Sequence, residues 1–96
     1  MKFCIYKIYD KNCNDIFYIG YTNNFNRRKC SHKKSTTNKK SKKYKLKLYT
    51  YIRECGGWDN FVMEVIEYVE DRIIGLKREK ELILELKPQL NVMYFS

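Results

Sequence analysis

The chain has 96 residues, of which 20 are Lys or Arg and 11 are Asp or Glu, and its formal net charge at pH 7 is +9. This length suffices for one small domain over residues 1–96 and excludes a second domain with its own core. The excess of positive charge favours a polyanionic partner, with nucleic acid ahead of an anionic membrane surface. No apolar run approaches the roughly 20 residues of a membrane span, and the N-terminus lacks the apolar segment of a signal peptide. We therefore expect an intracellular protein, in the cytoplasm or the nucleus, that is neither secreted nor bound to a membrane.

Two strand-like segments begin the chain. Aromatic and β-branched residues dominate residues 3–9 and 16–21, and turn-forming residues lie between them. This pattern predicts a β-hairpin. A turn centred near Asn12 would put Tyr6 and Tyr18 opposite each other on one face of the sheet. Taken alone, both tyrosines are typical sheet aromatics.

A helix is predicted from about residue 25 to residue 34, because the Thr and Asn residues at 22–24 can supply its N-cap. Arg28 and His32 are four residues apart and would share one face of this helix. By residue type alone, Arg28 is either a solvated charge or a phosphate ligand, and the adjacent Arg27 leaves the choice of arginine open. A lone histidine is more often a surface or helix-end residue than a catalyst.

Lysine dominates residues 33–47, with Ser, Thr and Asn in between. Such a segment cannot bury itself and predicts a mobile loop whose start is the most disordered part. Clustered lysines are usually a solvated face, but their density here favours contact with a nucleic-acid backbone. The residues that we expect to make these contacts are Arg27, Lys33, Lys34, Lys39, Lys40, Lys42 and Lys43.

The second half of the chain predicts a helix, a strand and a final helix. Apolar residues at helical spacing fill residues 43–55, and Gly56-Gly57 is a natural stop. Residues 61–68 have the composition of a strand that is covered on most of both faces. A last helix over residues 71–86 would end before Pro88. The chain is therefore predicted to form one α+β domain with helices on both sides of a sheet.

Glu79 is the most informative single residue of the last helix. It belongs to a stripe at steps of three and four residues that includes Leu76, Ile83 and Leu86. A carboxylate on an inward face needs a cation, because burying it unpaired is costly. That cation is either a metal ion or an arginine, and on this pattern alone a structural salt bridge with Arg28, Arg72 or Arg78 is favoured.

Several short motifs follow one another in a distinctive order along the chain. They are Cys4-Ile5-Tyr6, Tyr18-Ile19-Gly20, Asn24-x-x-x-Arg28-x-x-x-His32, and Glu79-x-x-x-Ile83 followed by Pro88-x-Leu90-Asn91. Any three-residue match is weak alone, but the whole series, which spans nearly all of the chain, resembles the GIY-YIG endonucleases. The resemblance implies a small three-stranded antiparallel sheet flanked by helices.

The resemblance also implies a metal-dependent DNA endonuclease. Tyr6 would be the general base, helped by His32 or Tyr18, and Arg28 rather than Arg27 would bind the scissile phosphate. Because free tyrosine has a pKa of about 10, a basic role for Tyr6 needs such a neighbour.

Glu79 would hold one Mg²⁺ or Mn²⁺ ion, and Asn91 would orient the site. Two positions depart from the pattern, since Cys4 replaces the first glycine and Tyr21 stands where some members carry a lysine.

The implied partner is double-stranded or branched DNA, with a homodimer or a specificity-conferring partner as a further possibility. A catalytically silent nucleic-acid-binding module that uses the basic loop 33–47 is the main alternative. It predicts binding that a chelator does not affect and no cleavage. A small basic protein that docks on an acidic protein or membrane surface is a third reading.

Overall fold

The computed structural model describes residues 3–12 and 16–88. In chain order, the elements are β1 (Phe3–Asp10), β2 (Ile16–Thr22), α1 (Phe25–Thr37), α2 (Lys47–Glu54), a short 3-10 helix (Trp58–Asn60), β3 (Phe61–Val69) and α3 (Arg72–Leu86). The strands form one antiparallel sheet in the order β2-β1-β3. This is the predicted α+β architecture. None of the helices in the described part of the chain is long and apolar enough to cross a membrane.

The register of the first hairpin differs from the prediction. Tyr6 pairs with Gly20, and Tyr18 pairs with Ile8, so the two tyrosines are not directly opposite each other. An irregularity between Ile8 and Tyr9 shifts the register there, and a symmetrical count from the turn therefore misplaces the pairing. The tyrosines still share a face, because residues two apart on a strand point the same way. Their ring centroids are 6.3 Å apart.

The sheet is covered on both faces, as expected. One core cluster joins the strands to α2 and the 3-10 helix, and the other joins them to α3. The buried members of the first are Tyr6, Ile8, Leu48, Tyr49, Ile52, Trp58, Phe61 and Met63. Those of the second are Ile5, Ile19, Val69 and Leu82.

The lysine-rich segment is more ordered than its composition predicts. Helix α1 continues to Thr37, so the start of the expected loop is helical, and α2 begins at Lys47 rather than near residue 43. The last turn of α1 is supported by tertiary contacts. Ser35 and Thr36 are buried, and Arg53 of α2 donates from Nη1 to the Thr36 carbonyl at 3.0 Å. Turns connect the two helices over residues 38–46.

Helix α3 has the predicted bounds. The Asp71 side chain caps it by accepting from the Ile73 amide at 2.6 Å. The helix ends at Leu86, and its C-cap Lys87, which precedes Pro88, has a left-handed backbone (φ 47°).

The predicted inward stripe of α3 is partly wrong. Leu76 and Leu86 are 40% and 42% exposed, and the buried residues of the helix are Gly75 and Leu82. A Cβ at Gly75 would lie only 3.0 Å from Val69 Cγ2. The missing side chain thus lets the helix approach the sheet along its Gly75 side and leaves Leu76 outside the contact. Glu79 is half-buried on this helix.

Candidate active site

Three side chains in the first core cluster form a hydrogen-bonded network, the Tyr6–His32–Tyr49 network. Tyr6 of β1 is 1% exposed, and its hydroxyl lies 2.8 Å from Nε2 of His32 on α1. His32 is 4% exposed, and its Nδ1 lies 2.8 Å from the hydroxyl of Tyr49 on α2. Both ring nitrogens of the histidine are therefore satisfied. Three elements that are distant in sequence hold this network in place.

Aromatic rings surround the Tyr6–His32–Tyr49 network. The Tyr18 and Phe25 rings lie 6.3 Å and 6.4 Å from the Tyr6 ring. Trp58 stacks on the His32 ring at 6.3 Å with 20° between the planes. Packing of this kind restricts the rotamers of both polar side chains.

Tyr49 and Phe25 are members of this cluster that sequence reasoning missed. A signal for Tyr49 was present, because a tyrosine at an inward position of α2 needs a partner for its hydroxyl. Trp58, which stacks on His32, is buried as well.

Burial is the main determinant of the protonation states of His32 and Tyr6. Burial, together with the positive charges of Arg28 and Lys43, lowers the pKa of His32 from 6.5 to about 4. His32 is therefore neutral at pH 7, with one nitrogen as donor and the other as acceptor. Burial, together with the neighbouring Tyr18, raises the pKa of Tyr6 above its usual value, and the charge of Arg28 opposes this rise. The Tyr6 hydroxyl thus keeps its proton at neutral pH.

Gly20 leaves room for the Tyr6 ring. A Cβ at this position would lie 2.6 Å from Tyr6 Oη and 3.0 Å from Tyr18 Cε2. Real Cβ atoms do not approach other heavy atoms so closely, so a side chain here would displace Tyr6. Glycine at position 20 is explained by this close approach of a ring.

Arg28 lies at the edge of the cluster. It is exposed on the first turns of α1, which begins where the Asn24 side chain accepts from the Arg27 amide at 3.0 Å. The charge of Arg28 acts on the pKa of both Tyr6 and His32. Within residues 3–12 and 16–88, no ion pair involves Arg28 or Arg27. Of Arg27 and Arg28, Arg28 is thus the one nearer to the Tyr6–His32–Tyr49 network, and it is available to an anion.

Glu79 has no arginine partner in the part of the chain that the structure describes. Arg78 instead contacts Glu67 at 2.8 Å and Glu81 at 3.1 Å. Arg72 donates to the Tyr21 hydroxyl at 3.2 Å. Burial raises the pKa of Glu79, whose charge in turn raises that of Tyr6. The structural salt bridge considered from the sequence is therefore wrong for all three arginines.

The scan against family models matches the GIY-YIG catalytic domain over residues 2–91. The chain belongs to the GIY-YIG family. Searches of the curated proteins and of the solved structures found no match. The family match covers nearly the whole chain and confirms the resemblance and the fold. A GIY-YIG domain implies nuclease activity in general and a nucleic-acid substrate.

GIY-YIG nucleases generally use divalent metals. Glu79 offers a half-buried carboxylate that forms no ion pair with a lysine or an arginine in residues 3–12 and 16–88. Among the described residues, no group of three or more His, Cys, Asp or Glu side chains could enclose a metal. One carboxylate suits Mg²⁺, which keeps several waters and also binds substrate phosphates. Asn91, the other residue expected here, lies outside the described residues.

The basic residues predicted to contact nucleic acid are distributed over two elements of this GIY-YIG domain. Lys33 and Lys34 are exposed on α1, in place of the loop that was predicted. The remaining lysines are exposed in the turn segment 38–46, namely Lys39, Lys40, Lys42 and Lys43. The effect of Lys43 on the pKa of His32 indicates that this segment lies close to the Tyr6–His32–Tyr49 network.

Proposed function

We propose that this chain is a metal-dependent DNA endonuclease that hydrolyses phosphodiester bonds with Tyr6, His32, Arg28 and Glu79. The observation that carries the proposal is the 2.8 Å contact between Tyr6 and a neutral histidine. Tyr6 cannot act as a base by itself at neutral pH, because burial raises its pKa and the phenol keeps its proton. In the proposal, His32 accepts that proton as Tyr6 takes one from water.

In the proposed arrangement, Tyr6 donates to Nε2 of His32, and Nδ1–H of His32 donates to the Tyr49 hydroxyl. As water attacks the phosphorus, its proton passes to Tyr6 Oη, and the proton of Tyr6 passes to Nε2. The tyrosine then needs no free phenolate, and the charge ends on the histidine ring. The new P–O bond forms as the bond to the leaving sugar oxygen breaks, and solvent supplies the proton for that oxygen.

Arg28 is proposed to bind the non-bridging oxygens of the scissile phosphate. Its planar fork of donors matches phosphate, and it has no carboxylate partner in the described part of the chain. Tyr18 packs near Tyr6 and is proposed to keep the reacting hydroxyl in place. Hydrogen-bond donors stabilise the charge of a transition state most strongly when they are held in position before the reaction begins.

Glu79 is proposed to hold the divalent ion, Mg²⁺ or Mn²⁺, with Asn91 as a further orienting residue. A bound ion of this kind neutralises charge on the phosphate and on the leaving oxygen. The basic residues Arg27, Lys33, Lys34, Lys39, Lys40, Lys42 and Lys43 are proposed to bind the DNA backbone. We further propose that the protein acts inside the cell, on double-stranded or branched DNA, alone or with a second copy or another partner.

The test is cleavage of supercoiled plasmid and of a branched oligonucleotide with Mg²⁺ or Mn²⁺, with EDTA as the metal-free arm. Glu79→Ala is compared with Glu85→Ala, which removes an exposed carboxylate from the same helix. We expect cutting that needs the metal and is lost only in Glu79→Ala, while both variants still bind DNA. DNA binding without cutting by the native chain would instead support the silent binding module.

A further inference from the structure

Two arginines from different helices line one open groove next to the candidate active site. The groove has a volume of about 330 Å³, and its lining residues are Phe3, Tyr21, Thr22, Asn23, Arg28 and Arg72. Arg72 is the first residue of α3, whereas Arg28 lies on α1. The groove therefore runs from Arg28, the proposed ligand of the scissile phosphate, to a second cation that the proposed mechanism does not use.

Another depression adjoins this groove at Arg28. This second depression of about 250 Å³ shares Thr22, Asn23 and Arg28 and also contacts Arg27. Arg28 thus lines both depressions, whereas Arg72 lines the first and Arg27 lines the second. Successive phosphates of a nucleic-acid backbone are ligands that neighbouring guanidinium groups suit.

Arg72 is oriented but not neutralised. Its Nε donates to the Tyr21 hydroxyl at 3.2 Å, and the Tyr21 ring packs on Phe3 with 6.1 Å between centroids. The ion pairs of the described part of the chain do not include Arg72, in contrast to Arg78, which contacts two glutamates. The neighbouring carboxylate of Asp71 caps α3 instead. The terminal nitrogens of Arg72 therefore remain available for an anion.

We propose that this groove binds the phosphodiester next to the scissile one, with Arg72 as its ligand and Tyr21 as a positioning residue for Arg72. The position relative to the cut rests on the proposed function, because it takes Arg28 as the ligand of the scissile phosphate. Binding of a backbone phosphate by Arg72 does not require cleavage. The two ideas can therefore fail separately.

The first experiment measures the affinity for a short labelled DNA duplex in EDTA at a series of salt concentrations. Arg72→Ala is compared with Lys77→Ala, which removes one exposed positive charge from the same helix. We expect Arg72→Ala to bind roughly 5- to 20-fold more weakly and to lose about one unit from the slope of log affinity against log salt. Lys77→Ala should keep the native slope. An equal loss in both variants, or a native slope in Arg72→Ala, would overturn the proposal.

Tyr21→Phe tests the positioning role, because it keeps the charge of Arg72 and removes the hydroxyl that orients it. We expect the native salt slope with an affinity roughly 2- to 4-fold lower. Native affinity in Tyr21→Phe would overturn the role of the tyrosine. Circular dichroism of each variant shows whether the fold is intact.

The second experiment locates the phosphate. After the cut site has been mapped with the native chain, single neutral methylphosphonate linkages are introduced around it. The linkage next to the scissile phosphate should weaken binding by the native chain but not by Arg72→Ala. Equal sensitivity of the two proteins at that linkage would overturn the assignment. If the native chain does not cut but the salt slope still depends on Arg72, the endonuclease proposal fails and the groove remains a backbone-phosphate site.

Discussion

Gly20 lies directly opposite Tyr6 in the antiparallel pairing of β1 with β2, and the Tyr6 ring fills the space where a side chain at position 20 would begin. The glycine of one strand is thus tied to the reacting group proposed on the other. The 2.6 Å separation between an added Cβ and Tyr6 Oη cannot be accommodated without moving the ring. Since the ring is 1% exposed and bonded to His32, its movement would break that contact.

Gly20→Ala should therefore reduce cleavage far more than it reduces DNA binding. We expect the cleavage rate at saturating DNA to fall roughly 100-fold, because a misplaced catalytic group can cost that much. The measurement is single-turnover cleavage beside equilibrium binding in EDTA.

Gly57→Ala is the matched control. Its Cβ would meet no atom within 4 Å, but its φ of 95° strains any alanine. This variant should lose about 1 kcal/mol of unfolding free energy and keep its cleavage rate. If Gly20→Ala cuts as fast as Gly57→Ala, the close approach to Tyr6 has no role in the reaction.

Tyr49→Phe should disturb His32 without touching Tyr6. Losing the hydroxyl leaves Nδ1 of His32 buried without its 2.8 Å partner. An unsatisfied buried polar group costs about 1–3 kcal/mol of stability. We expect the maximal cleavage rate to fall about 10-fold with little change in KM, because the ring is no longer held in one tautomer. Nitrogen chemical shifts of the single histidine report its tautomer directly.

The control for this variant is Tyr9→Phe, which removes a hydroxyl that donates to Glu64 at the surface. It should leave the cleavage rate and the histidine tautomer unchanged. Native tautomer populations in Tyr49→Phe would contradict the positioning role of Tyr49.

Local patterns in the sequence were enough to predict the strands and the last helix. The strand-like composition of residues 61–68, the start of the last helix at residue 71 and its end before Pro88 each depend on a few residues, and the structure has each of these features. The family motifs added the identity of the fold. The assignment of roles to the site residues stays a prediction.

The features that the sequence did not reveal depend on contacts between distant residues. The hairpin register depends on an irregularity after Ile8, and the end of α1 depends on an arginine 17 residues beyond Thr36. The hydrogen bond between His32 and Tyr49 also spans 17 residues. No local pattern can supply such pairs, because propensity and periodicity describe only neighbours along one element.

Arg53→Lys should loosen the basic turn segment 38–46 without changing the net charge. Arg53 donates to the carbonyls of Thr36 and Tyr44, and its guanidinium carbon lies 3.6 Å from the centroid of the Tyr44 ring. A lysine cannot reproduce this fork. We expect faster amide hydrogen exchange in the segment and a DNA affinity about 3- to 10-fold lower.

Lys42→Ala is the crossed control, because it removes an exposed charge from the same segment and leaves the Arg53 contacts in place. It should lower the salt slope of binding but keep the native exchange rates. Native exchange rates in Arg53→Lys would show that these contacts do not order the segment.

The pH dependence of stability should reveal the buried neutral histidine. The pKa of His32 is 6.5 in the absence of the fold and about 4 within it, so the unfolded chain binds this proton more readily. The contribution to stability is complete above pH 6.5 and is lost as the pH falls towards 4. Linkage gives a loss of about 2 kcal/mol between pH 7.5 and pH 5, before most carboxylates titrate.

Denaturant unfolding at several pH values measures this loss, and proton NMR of the histidine ring measures the pKa itself. The assignment is simple because the chain has one histidine. His32→Gln removes the titrating group, so its unfolding free energy should change much less over the same pH range. A histidine that titrates near pH 6.5 in the folded protein would contradict the neutral acceptor on which the proposed proton transfer from Tyr6 depends.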